Sequence, residues 1–469
     1  MIAALAGCDL GPRYQRPDIS SPGTWREAGD GQAAALWPSA DWWKGFGSSE
    51  LDRLVAKAQA TSFDLGAAAA RVRKADALAR VAGAALLPTV TAAAGGASER
   101  VLLPIDGGLR VQTPNYDLAL NAAYEIDFWG KNRAAVAAAT ATAQATRYEQ
   151  QVVALTVVTT VATSYFDVLA LQERLEVARA NLAAAESTLE VITGRREIGT
   201  AMDLDVAEQQ TIVAGLRAVI PSLEQQISQT TDALAVLVGT PPEELALAPA
   251  SFDELTLPPI APGLPSDLLE RRPDIAEIEA QLKAANADIT VARAEFFPSF
   301  DLTAQGGFGS LALAHFLSPA SAIYNLAASA TQPIFEGGQL EGRRDFALAS
   351  FEELVQTYRK SIISAFGNVE DALAAARRTG EQQTEQEATV KAARLSFEIA
   401  QGRYNGGLVD LLTVLTTENA LFPARDALVQ VKLAHLQAVV SLFNALGGGW
   451  ESEELAGVEL GPRHAAQAM

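Results

Sequence analysis

The chain has 469 residues, 49% of them hydrophobic, which is ample for a sizeable packed structure. Lys and Arg number 36 against 56 Asp and Glu, a formal charge of −20; this excludes the basic surface a nucleic-acid partner requires and suits solubility or a lumen that attracts cations. The single cysteine, Cys8, excludes an internal disulfide and a thiolate zinc cluster. His315, His435 and His464 are scattered, and no HExxH, GxSxG, GxxxxGK[ST] or GxGxxG pattern is present. Neither a metal or triad enzyme nor a cofactor is expected.

Leu5-Ala6-Gly7-Cys8 resembles a bacterial lipobox, with small residues ahead of a thiol that takes a lipid. Residues 1–8 are therefore read as the shortened end of a leader plus Cys8 as the lipidation site, because a full signal peptide needs ~15–30 residues. One lipid gives only marginal attachment, so the anchor is expected to assist another inserted element. Asp9 resembles an inner-membrane retention signal of many enteric bacteria, a rule that varies between bacterial groups. Residues 9–47 read as an extended segment.

From 48 to 240 the chain reads helix, β-hairpin at about 89–127, long helix over 130–193, then helix over 203–239. Thr113–Asp127 alternates, with Tyr116, Leu118, Leu120, Ala122, Tyr124 and Ile126 opposite Asn115, Asp117, Asn121, Glu125 and Asp127. Period two with one dry side predicts a half-buried strand; Thr89–Val101 carries a weaker form of it. Lys131–Thr193 has no Pro or Gly, so an unbroken helix there would reach roughly 95 Å at ~1.5 Å per residue. Leu171, Leu175, Ala178, Leu182, Ala185, Leu189 and Ile192 alternate four and three apart, a coiled-coil seam. Val213, Leu216, Ile220, Leu223, Ile227, Thr230, Leu234 and Leu237 form a second, in which Pro221 should kink the helix. Val152–Leu171 is apolar but interrupted by Thr, Ser and Asp167, and reads as buried helix; no spanning helix is expected, so any membrane crossing would be a barrel.

Residues 241–264, with Pro241-Pro242 and Pro258 to Gly263, read as an extended linker. From 265 to 450 the pattern returns at a shift of 208–210: helix, hairpin at about 299–335, long helix over 339–401, helix over 410–446. Phe300, Leu302, Ala304 and Phe308 lie opposite Asp301, Thr303 and Gln305, and Tyr324–Ile334 alternates less strictly. Pro88 and Pro298 stand at equivalent helix-to-strand junctions, and Gly130, Gly337 and Gly338 at the return to helix. A third seam runs Leu421, Ala424, Leu428, Val431, His435, Ala438, Leu442 and Ala445, with His435 read as packed or hydrogen-bonded. Residues 451–469 read as a loose polar tail. Strands of ~10 residues, apolar on one side with aromatics near their ends, match outer-membrane barrel strands. Four cannot close a barrel, since the smallest have about 8, so several chains would have to share one.

Cys8 to Pro17, Trp42-Trp43-Lys44-Gly45-Phe46, Tyr124 to Gly130, and Leu268 through Ile275 to Phe297-Pro298-Ser299 together resemble the TolC-like outer-membrane factors, most closely the OprM/NodT-type efflux lipoproteins. The resemblance covers roughly residues 8–450. It implies a mainly α fold with a small β part: a homotrimer whose four strands per chain form a 12-stranded transmembrane β-barrel, continued as an α-barrel through the periplasm. It further implies a passive exit duct, anchored in outer-membrane lipid, for drugs or other toxic small molecules. A periplasmic adaptor and an inner-membrane efflux transporter, expected to be of RND type, would serve it.

The turns Arg195–Val206 and Arg403–Val414 are expected at the periplasmic tip, with Gly199, Gly406 and Gly407 allowing sharp helix ends. The family's second tip can carry an aspartate ring; Thr413 and Thr416 occupy the matching places, a departure, while Asp410 is nearby and Asp203 and Asp205 occupy the first tip. Ordinary helix-start carboxylates would look the same. Two other readings keep much of this pattern: the outer component of a type I protein-secretion system, and a coiled-coil scaffold with no pore.

Overall fold

A computed structural model describes residues 10–27, 37–103, 109–248, 250, 252–260, 263 and 265–450. Cys8, Asp9, His464, part of the 241–264 linker and the 451–469 tail lie outside the described residues. The helices are α1 (Ser49–Thr61), α2 (Phe63–Ala84), α3 (Lys131–Glu197), α4 (Asp203–Leu237), α5 (Leu268–Arg271), α6 (Pro273–Ala294), α7 (Gln339–Asn405) and α8 (Leu411–Ala445). The strands are β1 (Thr89–Leu103), β2 (Leu109–Glu125), β3 (Ser299–Ser310) and β4 (Ala322–Thr331). The two halves match in length: α2 and α6 have 22 residues each, α3 and α7 have 67, α4 and α8 have 35. Both long helices run four residues past the ends expected from sequence, to Glu197 and Asn405. Neither Pro221 in α4 nor Pro423 in α8 breaks its helix.

The chain divides into two compact units. One comprises residues 1–18, 71–147 and 277–359 and contains the sheet. Its strands pair antiparallel in the order β1-β2-β3-β4, leaving β1 and β4 as edges. Here the segment from Leu10 to Arg16 meets α6 and α7. The Leu10 carbonyl accepts from Arg293 Nη1 at 3.3 Å and the Pro12 carbonyl from Asn286 at 2.8 Å. Arg16 donates to the Tyr358 hydroxyl at 2.9 Å and pairs with Glu279 at 2.9 Å.

The second unit comprises residues 19–70, 148–276 and 360–469. Its main core gathers the Trp42-Trp43-Lys44-Gly45-Phe46 turn, α1, the Val157–Ala170 stretch of α3, the end of α4 and the end of α8. Trp42 stacks on Phe443 at 4.7 Å, and Phe46 meets Phe166 edge-on at 5.0 Å. Ser48 caps α1 by accepting from the Leu51 amide, and its hydroxyl also meets the buried Tyr165 hydroxyl at 3.0 Å. By length and apolarity alone α3 and α8 each contain a window able to cross a membrane, with mean hydropathy 1.7 and 1.2. The sequence reading takes the apolar stretch of α3 as buried helix and expects no spanning helix. The Val157–Ala170 stretch of α3 packs into this core, where helix neighbours replace lipid. His435 is packed as expected: Nδ1 meets the Thr379 hydroxyl at 2.8 Å, and burial pulls its pKa down.

Phe46 is fully buried among aromatic rings. Phe46→Ala should cost about 3–5 kcal/mol, the range for emptying an aromatic site, read as a drop in the denaturant midpoint of the purified protein.

Candidate functional site: a two-faced sheet and two helix-end turns

Strand register decides which side chains share a face. Val90, Ala92 and Ala94 pair with Ala122, Leu120 and Leu118. Leu118, Ala122 and Tyr124 pair in turn with Phe308, Ala304 and Leu302, and Phe308, Ala304 and Leu302 with Ala322, Leu326 and Ala328. Because side chains alternate along a strand, all of these lie on one face. The opposite face carries Thr91, Asp117, Asn121, Glu125, Asp301, Thr303, Gln305, Asn325 and Ser329; Ile323 is its one large apolar member on β4. The apolar face is uncovered in a single chain: Tyr324 is 85% exposed, Leu326 75%, and Val90, Leu120 and Leu302 are exposed as well. Scattered exposed apolar residues are ordinary, whereas a contiguous apolar face marks an interface or a membrane surface.

Aromatic rings gather where strands meet helices. Trp129 lies 4.7 Å from Phe128 and 4.7 Å from Phe297, Phe128 lies 6.0 Å from Phe300, and Trp129 Nε1 donates to the Pro298 carbonyl at 2.8 Å. Gly130 takes the left-handed conformation (φ 79°) that turns β2 into α3, while Asp127 accepts from the Asn132 and Arg133 amides at 2.9 Å each. Gly337 and Gly338 are left-handed before α7, and Pro88 and Pro298 immediately precede β1 and β3. Such a ring cluster at strand ends matches the aromatic girdle of a membrane barrel.

The α3–α4 and α7–α8 turns close in the same way. Gly199 donates to the Arg196 carbonyl at 3.0 Å and Thr200 to Arg195 at 2.8 Å; Gly407 donates to Tyr404 and Leu408 to Arg403, both at 2.9 Å. These are paired Schellman closures, with Gly199 (φ 77°) and Gly407 (φ 73°) supplying the left-handed residue. Gly406, expected to share that role, is not among the left-handed glycines. The Arg195 guanidinium binds the Tyr404 and Asn405 carbonyls at 2.6 and 3.1 Å and lies 4.1 Å from the Tyr404 ring centroid. It thereby satisfies the open carbonyl end of α7.

The carboxylates at these turns have local partners. Asp203 pairs with Arg196 at 2.8 Å, and Asp205 accepts from the Met202 amide at 2.8 Å. Asp410 is the N-cap of α8, accepting from the Thr413 amide at 3.0 Å and hydroxyl at 2.6 Å. Those bonds hold its carboxyl below the usual carboxylate range. Thr416 turns its hydroxyl back to the Leu412 carbonyl at 2.7 Å. Sequence reasoning missed the apolar side chains of the turns, since Ile198, Met202, Leu204, Leu408 and Leu412 are all exposed. It also missed the buried pair Gln209 and Glu418. Gln209 was findable, since it sits one step of four before the point at which its heptad seam was taken to begin; Glu418 stands one residue past Thr417, the place to which the α8 seam extends. Among the described residues, no group of three or more His, Cys, Asp or Glu side chains could hold a metal ion.

A sheet apolar on one side and polar on the other, girdled by aromatics and joined to very long coiled helices, defines the class of outer-membrane channel subunits. The sequence model of the outer membrane efflux protein family matches residues 54–240 and 264–448, and the chain belongs to that family. It is 42% identical over 457 residues to the pyoverdine export outer membrane protein OpmQ of Pseudomonas aeruginosa, covering 96% of this chain and 95% of the relative. It is 34% identical over 469 residues to the toluene efflux pump outer membrane protein TtgF of Pseudomonas putida, with 96% of each covered. Among solved structures, the outer-membrane channel OprN superposes with a TM-score of 0.89 at 27% identity, over 94% of this chain and 100% of that one. CusC, described for its conformational changes on folding and transmembrane channel formation, gives 0.85 at 28% identity with the same coverage. The protein is an outer-membrane component of an efflux system, in a family of ducts rather than of enzymes.

At neutral pH the Asp410 cap is ionised and bonded; with a depressed pKa its contribution is lost only as pH falls through the acid range. Asp410→Ala should speed amide exchange in the first turn of α8, whereas Asp410→Asn, still able to cap, should leave it near wild type.

Proposed function

We propose that three copies of this chain form the duct, each giving four strands to a 12-stranded barrel, with the coiled helices continuing the passage into the periplasm. Residues 48–240 and 265–450 are its two repeats, flanking an equatorial 241–264 region. One observation carries this reading: the sheet has two free edges and an uncovered apolar face. Lipid satisfies the face, and neighbouring chains satisfy the edges. In such a barrel the polar face, with Asp117, Glu125 and Asp301, lines the passage.

The lipid anchor on Cys8 fits the same frame. The Leu10 carbonyl is held at Arg293, one residue before α6 ends and six before β3 begins. An acyl chain on Cys8, two residues upstream in sequence, is the attachment this reading expects. The exposed apolar residues of both helix-end turns offer a docking surface for a periplasmic adaptor, which couples the duct to an inner-membrane transporter of RND type. Three copies of Asp203, Asp205 or Asp410 would ring the opening; unchanged cation preference in Asp410→Ala channels would remove that role for Asp410. The relatives named for pyoverdine export and toluene efflux support small organic molecules as cargo.

The test combines assembly with transport. The purified protein should have three times the mass of the chain and conduct in planar bilayers, and deletion of its gene should raise susceptibility within a broad toxicant panel. Leu326→Arg, on the apolar face, should cost about 2–4 kcal/mol if it sits near mid-bilayer and deplete assembled protein from the membrane fraction. Asn325→Arg, on the polar face, should assemble normally. A stable monomer without detergent, indifferent to both changes, would refute the reading.

A further inference from the structure

The seams of α4 and α8 carry one buried polar meeting point. Stepping back from Val213 by four reaches Gln209; stepping back from Leu421 by four reaches Thr417, and Glu418 stands beside it. Both are 0% exposed. They lie at the level of the apolar cluster containing Ala185, Ile192, Val213, Leu415 and Phe422. Gln209 Nε2 donates to the Ala185 carbonyl at 3.0 Å and reaches the two Glu418 carboxyl oxygens at 3.3 and 3.5 Å. The Ala185 carbonyl accepts only, so it fixes which end of the amide is the donor. The other end, Gln209 Oε1, is buried with no partner.

An ionised Glu418 leaves that acceptor empty and places a charge in an apolar cluster. The nearby charged groups are otherwise engaged. On α3, Glu186 pairs with Arg217 of α4 at 2.5 Å, and Arg195 binds the Tyr404 carbonyl at the end of α7. On α7, Arg394 pairs with Glu398 at 2.9 Å; on α8, Arg425 donates to Asn181 of α3 at 3.0 Å. Tyr404 belongs to the same cluster but lies beneath Arg195. Among the described residues no cation pairs with Glu418. A protonated carboxyl removes both difficulties, because its O–H is the donor that Gln209 Oε1 lacks.

We propose that Glu418 and Gln209 form a proton-operated clasp between α4 and α8, close to the two helix-end turns. With the carboxyl protonated, Glu418 donates to Gln209 Oε1 and Gln209 Nε2 donates back, a reciprocal pair that holds the seam. When the proton leaves to solvent, only the Nε2 bond remains, Gln209 Oε1 is left buried without a donor, and the seam loosens. Burial raises the Glu418 pKa from 4.5 to about 7, against a smaller opposing effect of the Gln209 bond. The packed seam therefore binds the proton more tightly than an opened one. Its extra stability is complete below about 4.5, declines as pH rises, and is gone above about 7.

Hydrogen–deuterium exchange on the full chain in detergent tests this from pH 5 to 8, with rates corrected for intrinsic base catalysis. Peptides spanning 205–216 and 411–422 report the seam. Protection there should fall on the order of 10- to 100-fold across that range. Glu418→Gln keeps shape and hydrogen bonding without a titratable group and should abolish the pH dependence, leaving protection high throughout. A flat wild-type profile, or a Glu418→Gln profile that still falls with pH, would overturn the clasp. If Glu418→Gln does not assemble, Gln209→Glu serves: two carboxyls sharing one proton should split the transition into two steps, and a single unshifted step would overturn the clasp. Exchange reads the seam whether or not the chain conducts, so this test and the channel reading fail separately.

Discussion

A β-sheet with one uncovered apolar face and two open edges is not a finished structure in water. Tyr324, Leu326, Leu302, Leu120 and Val90 all present apolar surface on the same side, while Asn325, Thr303, Asn121 and Thr91 hold the other. The register makes this a property of the sheet rather than of single residues, since a one-residue slip would reverse it. The proposed duct answers that face and those edges together, and the aromatic cluster at Trp129 stands where its strands meet helices.

The helical parts answer a different demand. A long two-helix seam packs by repeating apolar residues four and three apart, and such a repeat is permissive about register. Polar residues set into the seam restrict it. Gln209 and Glu418 do so between α4 and α8, Asn181 and Arg425 between α3 and α8, and Arg174 and Asp426 between α3 and α8 at 2.6 Å. Buried and half-buried pairs of this kind are weak sources of stability, and fixing register is the best-attested use of buried ones. The exposed turn residues Ile198 and Leu408 contribute nothing to either demand within one chain, which is why a docking role is their natural reading.

Much of this was legible in the sequence. β2 stood out because Tyr116 to Ile126 alternates with only Ala119 and Ala123 out of pattern, and the helices because Lys131–Thr193 lacks any breaker. β1 was faint because its apolar side is built from Ala92, Ala94 and Gly96, whose small side chains barely register as hydrophobic. Only pairing with Leu120, Leu118 and Tyr116 reveals which way they face. The tip was read one layer too shallow. Asp203, Asp205 and Asp410 drew attention as charges, yet each is engaged in a local bond at a helix start. The buried Glu418 escaped because it stands one residue off the position to which its seam extends. The buried Gln209 escaped because its seam was traced from the first apolar residue, and a polar side chain at a seam position resembles the seam's end. Burial, which no spacing reveals, separates the two cases.

The central claim is that the two faces of the sheet meet different solvents. Single cysteines placed along β4 in a Cys8→Ser background, at positions 324 to 329 in turn, test it directly with a membrane-impermeant thiol reagent on the assembled, lipid-reconstituted protein. The account predicts alternation: positions 325, 327 and 329 labelled from the aqueous side, positions 324, 326 and 328 protected. Uniform labelling, or the opposite parity, would contradict it.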